Sequence, residues 1–183
     1  MFRNIALIVP FALMACGAGG GGTTPEAFPF RIAGVAAFDE PWAMAFLPDG
    51  RALITEKKGH LKIWLEGSEA KDVSGGPDVA GEGQGGLGDV AIHPDFKHNQ
   101  LVYLSWVERG LGGKGAVVGR AKLIEDNRGA RLEGLQVIWR QEPKVSGSGH
   151  FGHRLAFGPD GMLYISSGER QKFDPAQDIR RTN

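Results

Sequence analysis

The feature that most constrains this chain is a short unit that occurs three times: an apolar, β-rich run, a Pro-Asp turn and a second apolar run. The first copy is Met44-Ala45-Phe46-Leu47-Pro48-Asp49-Gly50 leading into Arg51-Ala52-Leu53-Ile54-Thr55. The second is Val90-Ala91-Ile92-His93-Pro94-Asp95-Phe96 leading, through a longer turn, into Leu101-Val102-Tyr103-Leu104-Ser105. In the third, Leu155-Ala156-Phe157 passes through Gly158-Pro159-Asp160-Gly161 into Met162-Leu163-Tyr164-Ile165-Ser166. Proline presets φ, aspartate hydrogen-bonds its own backbone and glycine accepts positive φ, so each copy predicts a β-hairpin. The Pro-Asp pairs start at 48, 94 and 159, giving spacings of 46 and 65 residues. A repeat of roughly 40 to 50 residues built from short strands and tight turns is the signature of propeller blades.

The intervening segments supply the remaining strands of such blades. Gly59-His60-Leu61-Lys62-Ile63-Trp64 alternates after the first hairpin; Ala116 to Ala121 and Leu135 to Trp139 follow the second. The chain holds 29 glycines, which suits many tight turns, and no long 3.6-residue period appears outside the N-terminus. The fold class expected is all-β: a β-propeller of four-stranded blades, with about three blades in residues 34–183. Three blades fall short of the four to eight or so that close a propeller. They leave an unpaired edge, so a fragment of a longer propeller is expected. Trp42, Trp64, Trp106 and Trp139 are expected to pack between blades.

Residues 1–15 read as a signal peptide: Arg3 precedes an apolar run of ten residues, Ile5 to Met14, too short to span a bilayer. Leu13-Met14-Ala15-Cys16 resembles a bacterial lipobox, in which the cysteine becomes the lipidated first residue. Residues 16–33, opening with Gly17 to Pro25, then form a flexible tether. Cys16 is the chain's one cysteine, so the folded part has no disulfide framework. Lys+Arg and Asp+Glu are both 21; a net charge of zero gives no argument for a nucleic-acid partner. The expected location is the cell envelope or periplasm, with the membrane reached only through the lipid.

His150 precedes the third hairpin and Glu169 follows it, nineteen positions on. A hairpin returns the chain to its start, so these two residues should be neighbours. A carboxylate beside a histidine fixes its tautomer and makes it a general base. The competing reading is that both are solvated residues at strand ends. Gln84, in a glycine-rich loop, reads from its surroundings as a turn-stabilising amide, and His93, before Pro94, as structural.

Gly81-Glu-Gly-Gln-Gly-Gly-Leu-Gly-Asp-Val-Ala-Ile-His-Pro-Asp-Phe96, the stretch from His150 to Glu169, and Ala176-Gln177-Asp178 together resemble the soluble quinoprotein glucose/sorbosone dehydrogenases. The resemblance is closest to the periplasmic aldose sugar dehydrogenase branch. It covers about residues 38 to 183, roughly the N-terminal half of a six-bladed propeller, with Pro41 to Gly50 in the first blade. It implies pyrroloquinoline quinone (PQQ) as cofactor, an aldose substrate and a respiratory-chain electron acceptor. It further implies His150 as the base for the sugar's anomeric hydroxyl, Glu169 as its orienting partner and Gln84 as a residue positioning the substrate hydroxyl. The quinone's cationic and amide partners and the main calcium ligands are expected beyond residue 183. Gly149 stands where the glucose-specific branch has an aspartate, which implies a different sugar preference. His153 replaces a small residue, which implies an altered pocket mouth, and Arg154 should support the blade. Two other classes are weighed against this: a calcium-dependent, lactonase-like propeller hydrolase, for which no ligand cluster is visible, and a non-catalytic surface binding module, which would not need His150 and Glu169 together.

Overall fold

A computed structural model of the chain describes residues 30–183; the predicted signal peptide, Cys16 and most of the tether lie outside them. Ten strands run through the unit formed by Gly34–Asn183. They are β1 (Pro41–Phe46), β2 (Ala52–Glu56), β3 (His60–Trp64), β4 (Lys71–Ser74), β5 (Leu87–Ile92), β6 (Leu101–Gly110), β7 (Gly113–Asp126), β8 (Gly129–Arg140), β9 (Gly152–Phe157) and β10 (Leu163–Ser167). β1 to β4 form one antiparallel four-stranded meander and β5 to β8 a second. Their outer strands β4 and β8 pair in parallel at Val73–Ala130 and Ser74–Arg131, which joins the two blades in the order β1-β2-β3-β4-β8-β7-β6-β5. The third blade is present as its first two strands, β9 and β10. The chain is therefore all-β as expected, with two complete blades and the opening hairpin of another.

The three turns differ for a steric reason. Gly50 and Gly161 take φ of +89° and +76°, which glycine adopts without strain. There, Asp49 and Asp160 accept the backbone N–H groups of Arg51 and Met162 at 3.1 and 3.0 Å. The second copy has Phe96 in the glycine's place. Its loop instead makes one helical turn, α1 (Phe96–Asn99), before Leu101 starts the next strand. His93 stabilises this longer turn: its Nδ1 lies 3.0 Å from the Asp95 backbone N–H and 2.8 Å from Asn99 Nδ2, and its ring stacks on Tyr103. It is structural, as expected.

One hydroxyl device recurs at the junctions. Thr55, Ser105 and Ser166 occupy matching places on the second strand of each blade. Each oxygen accepts a backbone N–H from the first strand, of Ala43, Asp89 and Arg154 respectively, at 3.0, 2.8 and 2.9 Å. Thr55 then donates to Gly88 O at 2.6 Å and Ser105 to His153 O at 2.8 Å, in each case on the first strand of the next blade. The first strands are thereby set side by side, all starting at the same end of the unit. Asp89 adds a second tie. It is buried, and its Oδ2 accepts the Leu155 backbone N–H at 2.7 Å while Oδ1 accepts that of Val90 at 2.9 Å and Arg154 Nη1 at 3.1 Å.

Between these ties the core is apolar. Leu53, Leu61, Leu87, Val102, Leu104, Trp106 and Val117 lie within one buried cluster shared by the two complete blades. Tyr103, Val118 and Leu155 carry the packing to β9, with Trp139 against them. Trp106 and Trp139 thus pack as expected. Trp42 is more exposed and lies under the Arg154 guanidinium at 5.0 Å, and Trp64 sits beside Phe38 at the sheet margin. Arg154 supports the blade, as expected. Among the described residues no helix is long and apolar enough to cross a membrane.

Candidate functional site

The candidate site lies at the end where the first strands begin. The β9–β10 hairpin returns Glu169 to His150, and His150 Nδ1 makes a short hydrogen bond with Glu169 Oε1. The other carboxylate oxygen, Oε2, accepts the backbone N–H groups of Lys172 and Phe173. The bond from His150, followed by these amides, holds the Glu169 pKa down at about 2. Glu169 is therefore ionised at neutral pH and can only accept. The proton on that bond belongs to His150 Nδ1, so in the neutral ring the acceptor is Nε2. The His150 side chain is 50% exposed, so the ring is in contact with solvent.

Gln84 joins them through the backbone. Its Oε1 accepts the His150 N–H at 2.7 Å, and its own N–H donates to Ser148 O at 2.8 Å. The structure therefore brings all three predicted residues of the folded part together. Gln84 acts on His150's backbone, an arrangement that lies between the turn-stabilising and substrate-positioning expectations. Cys16 lies outside the described residues.

The backbone around the pair is held in an unusual shape. Seven non-glycine residues have positive φ among those described, and His150, His153, Arg170, Gln171 and Phe173 are five of them, at +49° to +79°. Such conformations cost about 1–3 kcal/mol each and persist only where neighbours enforce them. Two enforcers escaped the sequence reading. Arg170, 1% exposed, donates to Gly149 O at 2.9 Å, to Gly147 O at 2.8 Å and to Lys114 O, and lies over the Phe151 ring at 3.7 Å. Gln141, fully buried, bridges the Ala116 N–H to Gly168 O and Ser167 Oγ. Arg170's place directly after Glu169 was a usable signal; Gln141 has none. Lys114 Nζ also reaches Ser148 Oγ at 2.9 Å and pairs with Glu82, which Arg109 joins.

His153 does not shape a pocket mouth, contrary to expectation. It is 4% exposed, because the position matching it in the second blade is Gly88, whose missing side chain leaves room for the imidazole. Its ring meets Trp42 edge-on at 5.6 Å and lies near Phe151. Burial, helped by the nearby Arg170 charge and opposed by a hydrogen bond with the Gln84 backbone, lowers its pKa to about 4. At Gly149 a Cβ would meet the far end of the exposed Gln171 side chain at 2.8 Å, which can move aside.

Residues 38–183 match the family model for glucose/sorbosone dehydrogenase. The chain belongs to the glucose/sorbosone dehydrogenase family. It is 42% identical over 144 residues to the aldose sugar dehydrogenase YliI of Escherichia coli, an alignment covering 77% of this chain and 38% of that protein. The apo form of the Escherichia coli soluble aldose sugar dehydrogenase superposes with a TM-score of 0.73 at 39% identity, covering 79% of this chain and 42% of that one. The PQQ-bound aldose sugar dehydrogenase of Streptomyces coelicolor gives a TM-score of 0.69 at 26% identity, covering 81% and 44%. These neighbours are consistent with the propeller assignment of this family member. The chain spans under half the length of each of these relatives.

Proposed function

We propose that the chain carries the proton-accepting half of a PQQ-dependent aldose dehydrogenase. The carrying observation is the His150–Glu169 pair: an ionised carboxylate on Nδ1 of a half-exposed imidazole. In this reading Nε2 takes the proton of the anomeric hydroxyl, and Glu169 stabilises the imidazolium that forms. Gln84 keeps the His150 backbone in place during the transfer. The bound quinone supplies a two-electron acceptor for the hydride on the anomeric carbon, and the product is the lactone. The donor set fits the sugar side of such a site. A tricarboxylate quinone also needs cationic partners, whereas Lys114 and Arg109 are both paired with Glu82. In this reading those partners lie beyond residue 183. The main calcium ligands are proposed to lie there too; among the described residues no group of three or more His, Cys, Asp or Glu could hold a metal.

The test uses the full-length protein. Supplied with PQQ and calcium, it should oxidise aldoses to lactones with a dye acceptor, and without PQQ it should not. Calcium-dependent lactone hydrolysis without dye reduction would overturn this in favour of a hydrolase. Saturable sugar binding with no turnover would instead favour a binding module.

The proposed location is the periplasmic side of the cell envelope, held there by lipid on Cys16, with electrons leaving to a respiratory acceptor. Its motivation is the Leu13-Met14-Ala15-Cys16 sequence after a short apolar run. One acyl chain holds only marginally and two hold stably. Labelled palmitate should enter the wild type and not Cys16→Ser; equal labelling would contradict the anchor.

A further inference from the structure

Arg170 is an unusual occupant of a protein interior. It is 1% exposed, and its partners are backbone carbonyls and an aromatic face, with no carboxylate among the described residues. Buried charges are ordinarily paired, because desolvation is costly. Here the guanidinium, which stays protonated in proteins, spends its fork on two carbonyls of one short segment. Nε holds Gly149 O and Nη2 holds Gly147 O, while Nη1 reaches across to Lys114 O. The Arg170 backbone N–H also donates to His150 O at 3.2 Å. Arg170 is thus covalently next to Glu169 and hydrogen-bonded to the segment that delivers His150.

We propose that Arg170 is a positioning residue, whose guanidinium clamps the Gly147–Gly149 segment so that His150 Nδ1 stays on the Glu169 carboxylate. Three observations converge on it. Both His150 and Arg170 have left-handed backbones, at +49° and +59°, which need external support. The guanidinium itself lies over the buried Phe151 ring, its Cζ 3.7 Å from the ring centre, so the fork does not swing. Every nitrogen of the fork is used on this segment or on the strand behind it. A lysine could satisfy these carbonyls only in part, because an ammonium lacks the planar fork. The significance for catalysis rests on reading His150 as the base.

The experiment is histidine-selective 15N NMR on the full-length protein, with His150 assigned by its loss in His150→Gln. The wild type should show one fixed tautomer, protonated on Nδ1. Arg170→Met keeps an unbranched apolar side chain of similar length but removes the fork. It should give the averaged-tautomer spectrum of Glu169→Gln, although Glu169 is intact, and lower kcat for aldose oxidation about 10- to 100-fold with little change in KM. Arg170→Lys should fall between the two, and it decides the matter if the methionine variant does not fold. A wild-type His150 spectrum in Arg170→Lys together with one in any folded Arg170→Met would overturn the role. Should His150→Ala keep full activity, the base assignment falls, while the tautomer comparison still decides whether Arg170 holds the pair.

Discussion

A single buried imidazole shows how closely this fold couples packing to protonation. His153 can enter the blade junction only because Gly88 leaves the space, and burial then pulls its pKa from 6.5 to about 4. The unfolded chain therefore takes up this proton before the folded one does. Stability from neutral His153 is complete above pH 6.5 and declines as pH falls toward 4. At about 1.4 kcal/mol per pKa unit the full loss is on the order of 3 kcal/mol. Glu169 acts in a lower window, since its depressed pKa makes its contribution fall between 4.5 and about 2. Denaturant titrations from pH 7 to 4 should show wild-type stability dropping and His153→Gln following a flatter curve. Parallel curves would show that folding does not lower the His153 pKa.

At the scale of the elements, the blades are joined by a few polar ties set into an apolar core. Asp89 is the strongest of them. Asp89→Ala would leave the buried Leu155 and Val90 N–H groups without an acceptor. Each such loss costs about 1–3 kcal/mol, so destabilisation of about 2–6 kcal/mol is expected, with the β9–β10 hairpin loosening first. Arg154→Ala removes only the 63% exposed end of the same contact and should cost under about 1 kcal/mol. Chemical denaturation with hydrogen exchange at Leu155 measures both; equal effects would contradict this ranking. The hairpins were legible from Pro48-Asp49, Pro94-Asp95 and Pro159-Asp160 because turn chemistry is local. The meeting of His150 and Glu169 followed from the same logic. The partners of Asp89, Arg170 and Gln141 were not legible, because they lie across blade boundaries that no local pattern encodes. His153 was misjudged for that reason: its environment is set by Gly88, 65 positions earlier in the chain.

For the whole molecule, the repeat places like with like. The first strands share one direction, so the loops at their starting ends gather on one side, and the segment before β9 there presents His150. The other ends gather different features, including a cleft of about 310 Å³ bordered by Leu47, Phe96, Leu123 and Glu125. The flanking blade faces carry exposed large apolar residues, Met44 and Phe46 on β1 and Tyr164 on β10. In closed propellers such faces are covered by adjoining blades. The proposed roles of His150 as base and Glu169 as its orienting partner are decided by steady-state kinetics of full-length His150→Ala loaded with PQQ and calcium. Removing a positioned base should lower kcat for aldose oxidation by about 10² to 10⁴ with quinone affinity nearly unchanged. Glu169→Gln should cost less and move the acidic limb of the pH–rate profile to lower pH, because a neutral partner no longer favours the imidazolium. Wild-type kcat in His150→Ala with dye acceptors would contradict these roles.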